Sequence, residues 1–383
     1  MTQIPFIDLQ AQQKRIRPQL EKRILAVLDH GKYIMGPEVY ELEARLAAFA
    51  GVKHCVSVAN GTDALLMALM AHGVGPGDVV FTTTFTFFAT AEVIALLGAT
   101  PVFVDIDPQT FNICPRALES AVTDLANDKS STLIARGIIP VDLFGLPADY
   151  DAINAIARRF NLFVLEDAAQ GLGGVYQGRP SGSLATVATT SFFPAKPLGG
   201  YGDGGAIFLS DDAIAETLRS IRVHGQGSDK YENVRIGMNG RLDTLQAAVL
   251  LPKLEIFPDE IAARQRVAET YTRLLDKVPG ITTPTIPDGY TSAWAQYSIL
   301  LDKRERLQNA LQTEGVPTAI YYPKPLHLQT AFAGLGYGTG DFLVAENVAG
   351  RILSLPMHPY LEERDIVRIC NSISIALTGK VCA

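Results

Sequence analysis

Cysteine, charge and long apolar runs are all scarce in this chain of 383 residues. The four cysteines, Cys55, Cys114, Cys370 and Cys382, have neither the spacing of metal ligands nor the pattern of a disulfide framework, so we expect reduced thiols and no metal site. Only 19% of the residues are charged, the net charge is −7, and no basic run is present. A nucleic-acid-binding surface would need clustered Lys and Arg, so we expect none.

Signals for secretion and for membrane insertion are also missing. No uncharged apolar stretch reaches the roughly 18 residues that a membrane helix requires. The first residues, MTQIPFIDLQAQ, lack the basic start and apolar run of a signal peptide. We therefore expect a soluble, cytoplasmic protein.

Apolar residues make up 48% of the chain, which predicts a large buried core and, at this length, two domains. Between residues 55 and 210, short β-branched or aromatic runs alternate with helical stretches. The predicted strands are 55–60, 79–85, 101–106, 137–144, 162–167, 187–193 and 206–210, and the helices between them include 62–73, 89–99 and 149–160. This alternation predicts an α/β domain with a mostly parallel sheet, whose ligands bind at the carboxyl ends of the strands.

After residue 250 the pattern changes to a mixture of helices and strands. We predict a helix over 253–277, a strand over 293–301, a helix over 302–315, a strand over 317–322 and a final helix over 362–377. The expected organisation is a large domain over 1–251 and a smaller α+β domain over 252–383.

A candidate anion site follows the first predicted strand, where Gly61, Thr62 and Asp63 open a helix. The first turn of a helix has free N–H groups and the positive end of the helix dipole, which suit a phosphate. A plain N-cap explains the same residues, because Thr and Asp are common before apolar helices.

Asp167 ends a very apolar strand, and Gln170 follows it. A buried carboxylate is costly unless it meets a cation or good donors. A protonated pyridine nitrogen would be such a partner, and the carboxylate would keep that nitrogen charged. Helix capping is again the alternative.

Lys196 lies between Pro194 and Pro197 in the segment 191–200, which precedes the glycine-rich segment 201–205. Such a lysine between core strands is not a typical solvated charge. Burial lowers the pKa of a lysine and makes the amine a candidate imine-forming nucleophile. Ser191 precedes it by five residues, and a phosphate held there would place the ring of the same ligand near Lys196.

Together these elements supply a phosphate cradle, a partner for a ring nitrogen and an imine lysine, in the order that a pyridoxal 5'-phosphate (PLP) site needs. Phe87, at the end of the second strand, offers a flat surface on which the ring would stack. Packing in the core would explain Phe87 equally well.

The same residues belong to a longer series of motifs that runs along nearly the whole chain. These are FIDL (6–9), GP (36–37), GTDA (61–64), FTFFATAE (85–92), GATPVFVDID (98–107), EDAAQ (166–170), SFFPAK (191–196), GDGGA (202–206), NGRLDTLQAA (239–248) and YYPKPLH (321–327). With them the chain resembles the DegT-type sugar aminotransferases, a branch of PLP fold type I with the aspartate-aminotransferase-like fold. Within that family it is most similar to the enzymes that aminate UDP-2-acetamido-2-deoxy-3-oxo-glucuronate.

The resemblance implies a role for each matching residue. Lys196 would form the Schiff base with PLP, and Asp167 would pair with the pyridine nitrogen. Further cofactor contacts would come from Gly61, Thr62, Asp63, Phe87, Gln170, Ser191 and from Asn239, which would reach the phosphate from a partner subunit of a homodimer. Residues implied to line the sugar-nucleotide pocket are Gly31, Tyr33, Ala195, Arg241, Tyr321 and Tyr322. Ala195 stands where a Ser is usual and Tyr321 where a His is usual, so the exact substrate is the open point.

The function implied is transfer of an amino group from glutamate, which leaves as 2-oxoglutarate, to a keto-sugar nucleotide. The acceptor would be the 3-keto hexuronate or, alternatively, a 4-keto-6-deoxy sugar. Three other interpretations remain: a PLP sugar dehydratase, a nucleotide-dependent oxidoreductase and a regulator that binds PLP without catalysis. The dehydratases of this scaffold have a histidine in place of Lys196, and the oxidoreductase would need a G-x-G-x-x-G turn that the early segment ANGTDA lacks.

Overall fold

A mixed seven-stranded sheet organises the large part of the chain in the computed structural model, which describes residues 4–229 and 231–382. Its strands, in spatial order, are β1 (His54–Val58), β9 (Gly205–Leu209), β8 (Val187–Ser191), β5 (Phe163–Asp167), β4 (Ile134–Ile139), β2 (Asp78–Thr83) and β3 (Thr100–Val104). Only β9 runs antiparallel to its neighbours in this sheet, so the other strands end at one edge. That edge is where the predicted cofactor residues follow the strands.

Helices cover both faces of this sheet and build most of the remainder. They are α1 (Leu9–His30), α2 (Pro37–Ala50), α3 (Gly61–Ala71), α4 (Ala89–Leu96), α5 (Pro115–Asn127), α6 (Tyr150–Phe160), α7 (Asp212–Ile221), α8 (Thr244–Leu275), α9 (Arg304–Thr313), α10 (Leu343–Arg351) and α11 (Glu363–Thr378). Short strands complete the fold: β6 (Val175–Tyr176), β7 (Arg179–Pro180) and β10 (Tyr290–Thr291) form one small sheet, and β11 (Tyr297–Leu300) pairs with β12 (Ile352–Leu355).

Apolar side chains of the central sheet pack against helices on both of its faces. One core lies between the sheet and α3, α4 and α7, and another between the sheet and α2 and the first half of α8. A separate core joins the second half of α8 to α9, α11, β11 and β12. Helix α8 thus contributes to both parts of the chain. The predicted boundary after residue 251 falls inside it and stays a prediction.

The central strands lie within a few residues of their predicted positions, but three C-terminal elements differ. The helix predicted over 253–277 begins at Thr244, because the chain stays helical through Pro252, a residue type that is typical of a helix start. The strand predicted over 293–301 is limited to Tyr297–Leu300. The strand predicted over 317–322 is wrong: only Ala319 bridges to Ser354, since Pro317 has no N–H to donate and the chain then turns towards a large cavity.

Within the described ranges, no helix is long and apolar enough to cross a membrane. The four cysteines are free thiols. No cluster of three His, Cys, Asp or Glu side chains that could hold a metal ion occurs in the described part of the chain.

Candidate active site

A cavity of about 800 Å³ opens at the carboxyl ends of β1, β2, β5 and β8. Most of the predicted site residues line it: Gly61, Thr62, Phe87, Asp167, Gln170, Ser191, Ala195, Lys196, Tyr321 and Tyr322. All of these lie at or shortly after the ends of strands of the central sheet, except the two tyrosines, which follow the isolated bridge at Ala319. Segments far apart in sequence therefore meet around one space.

The N-terminus of α3 lies against Ser191 at one end of the cavity. A Cβ atom on Gly61 would lie only 2.7 Å from the Cβ of Ser191, so glycine is what permits this approach. Asn60 caps the helix, its Oδ1 accepting a hydrogen bond from the Asp63 N–H at 2.8 Å. The first N–H groups of α3 and the Ser191 hydroxyl are thereby gathered into a site suited to an anion.

Asp63 itself is placed differently from its neighbours. It does not line the cavity, and its N–H group already donates to Asn60. Desolvation raises the pKa of its carboxyl, since a carboxylate there is partly withdrawn from water. The geometry therefore favours Gly61, Thr62 and Ser191 over Asp63 as anion contacts.

Asp167 lies at the end of β5 and is only 4% exposed. Its Oδ2 accepts a hydrogen bond from the Thr90 hydroxyl at 2.9 Å, and Oδ1 accepts a longer one from the Ala169 N–H at 3.2 Å. Desolvation raises the pKa of this carboxyl, while Thr90, Ala169 and the charge of Lys196 act in the opposite direction. The carboxylate is thus positioned to pair with a cation in the cavity.

Lys196 is on the turn that follows β8, where its N–H donates to the Phe193 carbonyl at 2.8 Å. Its side chain lines the cavity and forms no hydrogen bond or ion pair with another described residue. Desolvation lowers the pKa of the amine, and the nearby Asp167 partly opposes this. A lowered pKa increases the neutral fraction of the amine, which is the nucleophilic form.

Gln170 links the floor of the cavity to the tyrosine segment. Its Oε1 accepts a hydrogen bond from the Phe144 N–H at 2.7 Å, and its Nε2 donates to the Tyr322 hydroxyl at 3.0 Å. Phe87 faces the cavity with 58% of its surface exposed, its ring 6.3 Å from that of Tyr322. Packing in the core therefore does not explain Phe87.

Besides Asp63, four predicted site residues do not line this cavity: Gly31, Tyr33, Asn239 and Arg241. Gly31 ends α1 with a positive φ of 67°, and the carbonyl of Tyr33 accepts from the N–H of Thr244 at the start of α8. Asn239 is exposed, and Arg241 makes no ion pair with Asp243 or any other described residue. Its Nε atom is buried without a partner among them.

Several cavity residues were not found from the sequence, including Asn60, Thr90 and Gln296. Asn60 could have been found, because an Asn between a strand and an apolar helix is a typical N-cap. Thr90 and Gln296 carry no local signal. The first acts through contact with Asp167, 77 residues away in sequence, and the second comes from the segment before β11.

Comparisons with known proteins agree over nearly the full length. A sequence model of the DegT/DnrJ/EryC1/StrS aminotransferase family matches residues 14–374. A Pseudomonas aeruginosa protein named UDP-2-acetamido-2-deoxy-3-oxo-D-glucuronate aminotransferase is 53% identical, over 97% of this chain and 99% of its own. A Geobacillus stearothermophilus protein named pleiotropic regulatory protein is 48% identical, over 97% of this chain and 98% of its own.

Solved structures are similar in fold as well. The crystal structure of a DegT/DnrJ/EryC1/StrS aminotransferase from Brucella abortus has a TM-score of 0.95 and 52% identity, and covers 98% of this chain and 100% of its own. The protein NtdA from Bacillus subtilis, solved with the bound cofactor PMP, has a TM-score of 0.87 and 28% identity, and covers 98% of this chain and 86% of its own.

Proposed function

The chain belongs to the DegT/DnrJ/EryC1/StrS aminotransferase family and uses PLP as cofactor, and we propose that it aminates UDP-2-acetamido-2-deoxy-3-oxo-hexuronate at the 3-keto carbon with glutamate as donor. The observation that carries the substrate is the relative that is 53% identical over 97% of this chain and bears that activity in its name. The observation that carries the chemistry is that Lys196 and Asp167 line the same cavity.

The residues around the cavity fit the cofactor group by group. Gly61 approaches Ser191 so closely that a Cβ atom would not fit between them. This approach brings together the helix N–H groups and the hydroxyl that a phosphate needs as donors. Among the residues that the structure describes, only Thr90 and Ala169 donate hydrogen bonds to the buried carboxylate of Asp167, and its charge matches a protonated ring nitrogen. Lys196 has no partner among the described residues, and its amine is the group that would bind the aldehyde carbon.

PLP, when bound, supplies an electron sink for the bond that breaks at the substrate carbon. In the proposed mechanism, Lys196 holds the cofactor covalently at rest and then moves a proton with its Nζ atom at the substrate carbon. Asp167 keeps the ring nitrogen protonated, and Thr90 orients the Asp167 carboxylate through its hydroxyl. Gln170 and Phe87 line the same cavity and would bind the ring by hydrogen bonding and stacking, and Tyr321 and Tyr322 would contact the sugar.

A homodimer with shared active sites is part of the proposal. Tyr33, Asn239 and Arg241 do not line the cavity of their own chain, and large apolar side chains stand exposed nearby, with Ile34 at 53% and Ile236 at 85%. Exposed apolar surface of this kind is typical of an interface. We propose that Asn239 and Arg241 enter the cavity of the neighbouring subunit.

Arg241 is the proposed ligand of the uronate carboxylate. Its planar guanidinium suits a carboxylate with two parallel hydrogen bonds, and no described residue neutralises it. Ala195 and Tyr321 stand where the family resemblance implies a Ser and a His, so we expect this chain to contact the sugar hydroxyls differently.

The proposal is tested with purified holoenzyme, the amino-sugar nucleotide and 2-oxoglutarate, followed in the reverse direction. The expected result is formation of glutamate with the 3-amino uronate, and little with its neutral 6-hydroxy counterpart. If the enzyme instead prefers a 4-amino-6-deoxy sugar nucleotide, the proposed acceptor is wrong and a 4-keto-6-deoxy sugar nucleotide takes its place. A protein that binds PLP but shows no change in visible absorption with glutamate would instead be a regulator. Lys196→Ala is the control, since it should fold but lose both turnover and the yellow colour.

Mixing of inactive variants tests the shared site. Lys196→Ala and Arg241→Ala proteins, each inactive alone, should regain roughly a quarter of wild-type activity when refolded together, because random mixing gives some dimers with one intact site. Mixed dimers without any activity would show that each site belongs to a single chain.

A further inference from the structure

Helix α8 holds the loop that carries Lys196 at two separate points. Lys253 is completely buried, and its Nζ donates a hydrogen bond of 2.6 Å to the carbonyl of Gly199. The same ammonium lies 4.2 Å from the centre of the Tyr201 ring, in a cation–π contact. Both partners follow Lys196 within five residues along the chain.

Gln246, two turns earlier on α8, forms the second contact. Its Oε1 accepts a hydrogen bond from the Tyr201 N–H at 2.9 Å. A Cβ atom on Gly200 would lie 2.9 Å from Gln246 Oε1, and one on Gly202 would lie 2.8 Å from Nε2. The amide is therefore enclosed by two glycines of the loop, and a larger residue at either position would displace it.

The loop depends on such contacts because of its composition. Gly199, Gly200, Gly202, Gly204 and Gly205 follow Lys196 in close succession, and glycine leaves the backbone more conformational freedom than any other residue. A segment of this kind opens locally at low free-energy cost unless side chains from outside hold it. Lys253 and Gln246 are such side chains.

The burial of Lys253 is itself costly. Desolvation lowers the pKa of this amine to about 8, although the charge of Glu260 acts against the shift. An apolar residue of the same length would fill this space without that cost. The position of the ammonium at Gly199 therefore indicates a function beyond packing.

We propose that Lys253 and Gln246 are positioning residues, which hold the loop of Lys196 on α8 in the conformation that binds the cofactor. The inference rests on the proposed role of Lys196. Neither residue lines the cavity, so both act through the loop. The arrangement also has a geometric consequence. Helix α8 starts three residues after Arg241, so the same helix fixes the lysine loop relative to the segment proposed to enter the neighbouring site.

The test uses Lys253→Met, which keeps the length of the side chain but removes its charge and donor. Amide hydrogen exchange of residues 192–205 in the cofactor-free protein should become faster, and the holoenzyme should release PLP about tenfold faster, as followed by its visible absorption. Loss of one charge-assisted hydrogen bond corresponds to a factor of roughly 10 to 100 in an equilibrium constant. Exchange at the wild-type rate together with PLP release within twofold of wild type would overturn the proposal.

A matched control separates positioning from general stability. Arg304 donates to the backbone carbonyl of Ala349 at 2.5 Å in the small domain, away from the cavity. Arg304→Met should lower the unfolding temperature but leave loop exchange and PLP release unchanged. Faster PLP release in this variant as well would mean that any loss of stability has the same effect, and would overturn the proposal.

Gln246→Met is the second variant, for the case that Lys253→Met fails to fold. It buries no new charge and should change loop exchange and PLP release in the same direction; no change in either would contradict the inference. Failure of the proposed function is distinguishable, because a wild-type protein that never turns yellow with PLP would contradict the role of Lys196. The exchange of the cofactor-free loop would still decide whether the two residues hold it.

Discussion

Glu166 and Asp167 are consecutive buried carboxylates of β5, yet their side chains lie on opposite faces of the sheet and have different surroundings. Glu166 accepts hydrogen bonds from the N–H groups of Gly182 at 2.6 Å and Leu184 at 2.9 Å. It also shares a hydrogen bond with the carboxyl of Asp142. Asp167 faces the cavity, and its donors within 4–229 and 231–382 are limited to the Thr90 hydroxyl at 2.9 Å and, at 3.2 Å, the Ala169 N–H.

The comparison shows which property marks the functional carboxylate. Burial raises the pKa of both side chains, so a shifted pKa does not distinguish them. The difference is in the hydrogen-bonding capacity that the protein leaves unused. Glu166 and Asp142 are surrounded by donors from their own chain, including the hydroxyls of Tyr150 and Ser181, whereas Asp167 keeps capacity for a ligand.

The largest expected effect is on turnover, in the variant Asp167→Ala. The cofactor should still bind through Lys196, but the ring nitrogen would lose the charge that keeps it protonated. We expect kcat/KM to fall by roughly 10²–10³, the usual loss when one preorganised electrostatic partner is removed. The unfolding free energy of the cofactor-free protein should change by less than about 1 kcal/mol, because an unpaired buried charge disappears with the side chain. Steady-state kinetics of the holoenzyme and urea unfolding of the cofactor-free protein measure the two quantities.

The reverse pattern is expected for Glu166→Ala. This change leaves the N–H groups of Gly182 and Leu184 buried without an acceptor and removes the partner of Asp142. The unfolding free energy should fall by about 3 kcal/mol, since each unsatisfied buried group costs roughly 1–3 kcal/mol. The folded fraction should retain kcat within a few-fold. A Glu166→Ala protein of normal stability but without activity would refute the assignment of a structural role to Glu166 and a catalytic role to Asp167.

The sequence was informative where a signal is local. Apolar, β-branched runs placed the strands of the central sheet, and the strand end at Asp167 and the proline-flanked turn at Lys196 identified two residues of the cavity. Glu166 was not singled out, because its partners come from the loops around Asp142 and Gly182, which only the folded chain brings together. Thr90, Lys253 and Gln296 were not found from the sequence for the same reason, because their partners are distant along the chain.

Local signals also misled at particular residues. The helix predicted over 253–277 begins at Thr244 and continues through Pro252, because tertiary packing of α8 outweighs the loss of one backbone hydrogen bond. Residues 317–322 have the composition of a strand but no partner strand along most of their length. Tyr33, Asn239 and Arg241 lie away from the cavity of their own chain. Their proposed contacts are to a partner subunit, which a single chain does not include.

A smaller effect is expected in the pH dependence of stability. Desolvation raises the pKa of Asp142 to about 6 and raises that of Glu166 well above its usual value. Because these pKa values exceed those of the unfolded chain, the stability that the pair contributes is present below about pH 4 and is lost as the pH rises through 6. The urea midpoint should therefore carry a component that falls between pH 5 and pH 7.5.

Asp142→Asn isolates that component. The amide replaces the shared proton with an N–H donor to Glu166, and it retains an oxygen for the Tyr150 hydroxyl. The stability of wild type relative to the variant should fall as the pH rises, because the introduced amide does not titrate. The difference is the quantity to measure, because burial lowers the pKa of His358 to about 4 and gives stability the opposite pH dependence over part of this range. A difference that does not vary with pH would show that the pair does not share a proton.

The smallest effect is expected for Thr90→Val, which changes one hydroxyl to a methyl group beside Asp167. The hydrogen bond of 2.9 Å from Thr90 Oγ1 favours the charged form of the carboxylate, so its loss should raise the pKa of Asp167 further. A raised pKa weakens the pairing with a protonated ring nitrogen, and the net value of one hydrogen bond, about 1 kcal/mol, corresponds to a roughly fivefold loss in kcat/KM. The acid limb of the pH–rate profile should move to higher pH. The unfolding free energy of the cofactor-free protein should fall by no more than about 1 kcal/mol, because one hydrogen bond is lost and the shape of the side chain is kept. Thr90→Ser keeps the hydroxyl and should restore both the rate and the profile. If Thr90→Ser and Thr90→Val behave alike, the hydroxyl does not orient Asp167, and the unused capacity of that carboxylate is set by the cavity alone.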